Sequence, residues 1–186
     1  MKLIVACLSV VAIASAQDVA IDLQRSTITI HVGKAGLLSV AGHDHTISAP
    51  ISSGAIREST PPHVEFTIET AKMTVMPDPK VDGKTQAQIQ KDMEEMTLET
   101  GKYPQITFRS SRVDKQAEGQ WKVEGDLALH GVAKSLVLTV KRAGEAYTAR
   151  TTLKQTDFGI KPISVGGGTI KVKDQVEIEF TIFARH

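Results

Sequence analysis

The sequence predicts an all-β domain of antiparallel strands with one helix, and three observations carry that prediction. Short segments alternate apolar and polar residues with a period of two, so each strand shows one face to an apolar interior and the other to water. Glycines stand where tight hairpins need unusual backbone angles, at Glu118-Gly119, His130-Gly131 and Gly144-Glu145. A single stretch, Met76–Pro104, departs from the period and reads as a helix between breakers. A chain of such strands either stacks two sheets or closes one sheet on itself, and a closed sheet of this size has room for a small molecule.

Met1–Ala16 lies outside that pattern. Lys2, an apolar run from Leu3 to Ile13 and the triplet Ala14-Ser15-Ala16 make a secretory signal peptide, too short for a membrane span. Cleavage after Ala16 leaves one domain over residues 17–186 and implies export to the periplasm or the extracellular space. Ile4-Val5-Ala6-Cys7 also resembles a lipoprotein box, but little apolar chain precedes Cys7. Cys7 is the only cysteine. Its removal leaves no disulfide and no thiol ligand. The chain has 22 Lys+Arg against 21 Asp+Glu, and loss of Lys2 makes the two equal. No basic stripe or run of like charge appears, which gives no support to nucleic-acid binding or to stable membrane association.

Along the mature chain, Ser26–Val32 sets Ile28, Ile30 and Val32 against Thr27, Thr29 and His31. A bend at Gly33–Gly36 leads to a strand from Leu38 to about Ser48, ended by Pro50. Ile51–Arg57 comes next, Pro61-Pro62 turns the chain, and His63–Glu69 alternates again through Val64, Phe66 and Ile68. Met76-Pro77-Asp78-Pro79 then breaks any strand, and Thr85-x-x-Gln88 is a capping box for a helix start. Ile89, Met93 and Met96 recur at i, i+4 and i+7 as one apolar stripe, and Gly101 stops the helix. That stripe reads either as core packing or as a flexible lid over an open barrel end, since methionine adapts to irregular partners.

Gln105–Val113 resumes the strands. Gln120–His130 shows Trp121, Val123, Leu127 and Leu129 on one face, and Lys134–Arg142, Ala146–Gln155 and Lys171–Ala184 complete the set. Asp157-Phe158-Gly159 reads as a tight bend, with Phe158 buried and Gly159 in a backbone conformation that other residues avoid. Gly42-His43-Asp44-His45-Thr46 carries the most pointed chemistry. Residues i and i+2 of a strand share a face, so His43 and His45 lie about 6–7 Å apart. They read as hydrogen-bonded polar residues near a mouth, as contacts to a ligand head group, or as half of a site for zinc, copper, iron or nickel. In the last case the third ligand comes from His31, His63, His130 or a carboxylate. There is no G-x-S-x-G elbow, P-loop or HExxH and no convincing acid–base pair. The expectation is a binding protein without catalytic residues or a cofactor.

Five ordered stretches carry a resemblance: Gly36-Leu37-Leu38-Ser39-Val40-Ala41-Gly42; Lys102-Tyr103-Pro104 with Gln105-Ile106-Thr107-Phe108-Arg109-Ser110; Val123 to Lys134; Thr156-Asp157-Phe158-Gly159-Ile160; and Lys173-Asp174-Gln175-Val176-Glu177-Ile178. Together they resemble the YceI-like family of secreted, lipid-binding proteins. The Gly-His-Asp-His segment departs from the family, where an aromatic is expected after the glycine. The resemblance implies an eight-stranded antiparallel lipocalin-like barrel, with an amphipathic helix and loop over an open end. It also implies an elongated apolar cavity for a polyisoprenoid or similar lipid.

With only 4% aromatic residues, the interior is expected to be uncrowded. The small and medium residues Val123, Gly125, Leu127, Leu129, Ala149, Thr151 and Leu153 then leave room for a tunnel, the alternative being a barrel whose interior is packed solid. The expected ligand-binding residues are Phe108, Val123, Leu127, Leu129 and Met93, with His43 and His45 at the head group. The leading reading is an exported carrier or store for an isoprenoid-type or other long-chain lipid, monomeric or homodimeric. The alternatives are a metal-binding or metal-dependent protein using His43 and His45, and an envelope structural or stress protein whose cavity is incidental.

Overall fold

A computed structural model describes residues 17–35, 44–165 and 170–185. Its strand segments are β1 (Val19–Ala20), β2 (Thr27–Ala35), β3 (His45–Ser48), β4 (Ile51–Arg57), β5 (His63–Glu69), β6 (Thr74–Val75), β7 (Gln105–Ala117), β8 (Gln120–Leu129), β9 (Val132–Ala143), β10 (Ala146–Lys154), β11 (Ser164–Val165) and β12 (Ile170–Phe183). Helix α1 (Gly83–Asp92) lies between β6 and β7 and continues into one π-helical turn at Met93–Thr97. The sheet is ordered β1-β4-β5-β7-β8-β9-β10-β12-β2-β3-β6, with β11 on β12.

These segments trace eight strands. β3 and β4 are one strand bent at Ala49-Pro50, the first half paired with β2 through Ile30↔Ile47 and the second with β5 through Ile56↔Val64. Pro50 has no N–H to offer a ladder, which places the bend there, while Ala49 N–H still donates to Ile28 O at 2.9 Å. β1 and β2 form a second broken strand: β1 pairs with β4 through Val19↔Ile56, and Ile21 bridges Ala184 beyond the end of β12. Counting each broken strand once, and leaving aside the two-residue β6 and β11, gives the expected eight. The two ends of the hydrogen-bonded path are joined by the chain itself, so the sheet curls into a barrel.

Alternation holds along the long strands. Ile106 and Phe108 on β7, Val123 and Leu127 on β8, and Leu138 and Val140 on β9 are buried, with Asp126 and Thr139 exposed between them and Arg109 exposed next to Phe108. β4 and β5 keep the limits that the sequence implies, whereas β7 runs on to Ala117 as a polar hairpin arm against β8. Of the expected Leu38–Ser48 strand, His45–Ser48 is observed, and Gly36–His43 lies outside the described residues, as does Met1–Ala16. The bend at Phe158 is as expected: its side chain is 1% exposed and Gly159 has φ 73°.

The helix differs from its expectation at both ends. It starts at Gly83, because the Asp82 carboxylate accepts the N–H groups of Lys84 and Thr85 and the Thr85 hydroxyl. Those three bonds hold the Asp82 carboxyl below its ordinary range. Thr85 therefore supports the cap rather than forming it. At the other end Leu98 N–H donates to Met93 O, an i→i+5 bond. The extra residue in that turn shifts the facing of the residues after it, leaving Met93 buried, Met96 64% exposed and Leu98 turned inward at 7%. Met96 is thus not part of the stripe, and Leu98 takes its place.

Two glutamines clamp the helix to the short edge strand β6. Gln90 accepts Val75 N–H at 2.7 Å and donates to Met73 O at 3.0 Å, and Gln86 donates to Val75 O and Met76 O. Its C-terminal side is anchored through Tyr103, whose ring lies 4.2 Å from that of His130, while His130 Nε2 meets Glu99 Oε2 at 2.9 Å.

Candidate functional site

Three cavities lie in series along the barrel and share walls. The central chamber, about 140 Å³, is lined by carbon from Ile28, Ile30, Ile68, Leu127, Leu129 and Ile178, among others. A second, about 290 Å³, opens at the end away from the helix and shares Phe66, Phe108, Leu138 and Phe180 with the first. A third, about 220 Å³, opens beneath α1 and shares Val32, Ile47, Met93, Thr97 and Gln155 with the centre. Phe66 and Phe108 stack with centroids 5.5 Å apart and make a waist between the first two.

The waist corrects one expectation. Aromatic residues are few, but four of the five phenylalanines line the central chamber, so the interior is divided rather than open. Gly125 exists to admit one of these rings. A Cβ there would sit 2.6 Å from Phe108 Cζ and 2.7 Å from Arg109 O.

The far mouth satisfies its own charges. Arg57 donates to both oxygens of Asp18 at 2.7 and 3.0 Å, and Lys115 pairs with Glu118 at 2.9 Å. Tyr147 donates to Glu58 and meets Trp121 edge-on at 5.6 Å. Burial first, and then the Glu58 carboxylate, push the Tyr147 phenol up to about 12. The unfolded chain, with a tyrosine near 10, ionises first. The stabilisation is therefore complete below about pH 10 and is lost as pH rises through about 12. Titration at the tyrosinate absorbance band is expected to show a step near pH 12 that disappears in Tyr147→Phe. A variant that keeps the step would show that another phenol produces it.

The expected ligand residues are spread along this tunnel. Leu127 and Leu129 line the centre, Phe108 the waist, Val123 the far chamber, and Met93 the boundary under the helix. His45 lines the helix-side mouth, opposite Val32 in register, and His43 lies outside the described residues. His63 is engaged by Ser110 and Glu65, and His130 by Glu99. Among the described residues no three metal-binding side chains converge, and no helix is long and apolar enough to cross a membrane. Sequence reasoning alone misses Phe66 and Phe180 at the waist, although their alternation is visible, because nothing local says that both strands face one axis. Leu98 is hidden by the π turn. Tyr147 and Glu58 are 89 residues apart, a separation that leaves no sequence pattern.

A family model described as a YceI-like domain matches residues 20–184. A UPF0312 protein of Shewanella oneidensis is 29% identical over 177 residues, covering 89% of this chain and 87% of its own. A UPF0312 protein of another Shewanella strain is 30% identical over 160 residues, covering 80% and 79%. Among solved structures, Burkholderia cenocepacia BcnA superposes with a TM-score of 0.64 at 18% identity, covering 89% of this chain and 99% of that one. The structure of a polyisoprenoid binding domain from Saccharophagus degradans, implicated in plant cell wall breakdown, gives 0.62 at 16% identity, covering 89% and 98%. The structural likenesses agree with the barrel traced above, and the sequence match runs through nearly every strand of it. This chain belongs to the YceI-like domain family.

Proposed function

We propose that this protein binds an isoprenoid-type or other long-chain lipid inside the barrel and acts as an exported carrier or store, without performing chemistry on its ligand. The observation that carries this reading is the series of three adjoining chambers that share walls, with a carbon-lined centre. Such a lining offers a tail little beyond removal of its surface from water, at about 25 cal/mol per Å². A long chain supplies that area where a small polar metabolite does not. The likeness to a polyisoprenoid binding domain is consistent with the same reading. Export rests on the Met1–Ala16 segment read as a signal peptide.

The test is mass spectrometry of an organic extract from natively purified protein. A long-chain lipid near one equivalent is expected, and its absence from protein purified out of cells that export the chain would overturn the reading. The helix enters as a lid, because Met93 touches both the central and helix-side chambers. Met93→Ser is expected to cost about 2 kcal/mol of stability and to accelerate lipid release several-fold. Unchanged release with a lowered melting temperature would make Met93 ordinary core.

A further inference from the structure

We propose that the barrel wall carries a side gate between β9 and β10, through which a chain-like ligand slides broadside into the central chamber instead of threading in end-first. This rests on the reading of the tunnel as a lipid site and names the route into it. β9 is paired with β8 from Val132 to Lys141, and β10 with β12 from Ala146 to Lys154. Between β9 and β10 themselves the ladder holds only Ala143↔Ala146, Arg142↔Tyr147 and Lys141↔Thr148. Beyond those pairs, Ser135–Val140 and Ala149–Lys154 run on as two unpaired edges. At the ordinary rise of a strand, they border a slit about 20 Å long.

The slit leads from the surface to the ligand chamber. A cavity of about 350 Å³, lined in part by the exposed Lys134, Ser135 and Thr152, shares Leu136, Leu153, Lys154 and Phe158 with the central chamber. Leu136 and Leu138 on one edge, with Thr151 and Leu153 on the other, line that chamber. Val137, 60% exposed, adds an apolar side chain to the outer rim. Phe158 stands in the gap, buried between the two cavities.

The 3-10 turn that carries this ring, Gln155–Phe158, is tied to the β12 side. Asp174 accepts the Thr156 N–H and hydroxyl at 2.9 and 2.7 Å, and Gln155 Nε2 donates to Lys173 O at 2.8 Å. Toward β9 the turn reaches through Lys134 Nζ and Asp157 Oδ1 at 3.4 Å, a half-exposed ion pair of the kind that holds weakly. β9 can therefore swing with β8 while the turn stays with β10 and β12. An end-first ligand must pass the Phe66–Phe108 waist at one end, or break the glutamine bonds of the helix at the other. A sideways one breaks no ladder bond along the slit. Gln155 lines both the central and helix-side chambers, so the slit runs toward the mouth under α1, and a lifted helix lengthens the same opening.

The experiment staples the slit. Continuing the register of Lys141↔Thr148 sets Val137 opposite Thr152, and both are exposed. Cys7, the one native cysteine, is changed by Cys7→Ser, and Val137→Cys with Thr152→Cys supplies two thiols. A disulfide draws the edges to within about 7 Å, and bismaleimidoethane bridges them if they do not oxidise. The stapled protein is expected to take up and release a pyrene-labelled alkane about tenfold more slowly than the reduced protein, at unchanged equilibrium affinity. A control staple from Lys141→Cys and Thr148→Cys, where the strands already pair, should leave both rates as they are. Asp157→Asn, which loosens the latch without a cross-link, is expected to speed uptake several-fold and decides the matter if the stapled variant does not fold. Equal rates with the slit stapled and open, or equal slowing by the control staple, would overturn the gate and leave the tunnel standing. Failure of the pyrene alkane to bind the reduced protein at all would overturn the tunnel reading itself.

Discussion

Leu127→Trp is expected to reduce retained lipid by about tenfold or more while the far-ultraviolet circular dichroism stays native. Leu127 lines the central chamber directly opposite Phe108 on β7. An indole there occupies the space that the tail needs next to the waist. The cost to the fold is that of overpacking, about 1–3 kcal/mol, which a domain of this size tolerates. Leu129→Trp, on the same face two residues closer to the β8–β9 turn, should act in the same direction. Normal occupancy in both variants with native spectra would show that no ligand passes through the centre.

The larger effect on stability is expected from Gly125→Val. Its Cβ would approach Phe108 Cζ to 2.6 Å and Arg109 O to 2.7 Å, and the second of these is backbone that cannot swing aside. A glycine weakens a strand interior, and its presence in the middle of β8 is offset by the ring that lies over it. We expect a loss of about 3 kcal/mol, a fall of roughly 10 °C in melting temperature for a domain of this size. Replacing Phe108 by Leu in the same chain should recover part of that loss, because it relieves the contact with the ring but not the one with Arg109 O. An unchanged melting temperature in Gly125→Val would refute the packing argument.

Most of the barrel is legible from periodicity because one face of nearly every strand is wet. Ile51–Arg57 and His63–Glu69 keep the limits their alternation implies, and Gly159 takes the backbone angle its place in the bend requires. The illegible parts are those where local pattern and tertiary structure diverge. The π turn shifts the phase of the helix after Met93, so Met96 falls outside and Leu98 inside. A period of 3.6 carried through the segment has no means of registering one inserted residue. The candidate site is legible as a face but not as a tunnel. Leu127 and Leu129 can be picked out from β8 alone, while the waist needs the paired Phe66 and Phe108 of β5 and β7 together with Phe180 of β12, a strand that reaches them only when the sheet curls.

The glutamine clamp on β6 makes ligand release hazardous to the protein itself. The strand order ends at β1 and β6, and β9 and β10 pair only through Ala146–Thr148, so β6 is one of several open edges among the described residues. Gln90 imitates a neighbouring strand there, answering Val75 N–H and Met73 O with one side-chain amide. If α1 lifts to let a tail leave, those two groups are uncovered together with the apolar chamber beneath them. Unpaired strand edges beside apolar surface are templates for intermolecular pairing. If the protein acts as the proposed carrier, emptying takes it through the form most prone to self-association, and a bound ligand protects it. Gln90→Leu, which removes the imitation strand without enlarging the tunnel, is expected to aggregate faster when stripped of lipid than when loaded. Light scattering of the two forms at equal concentration measures that difference.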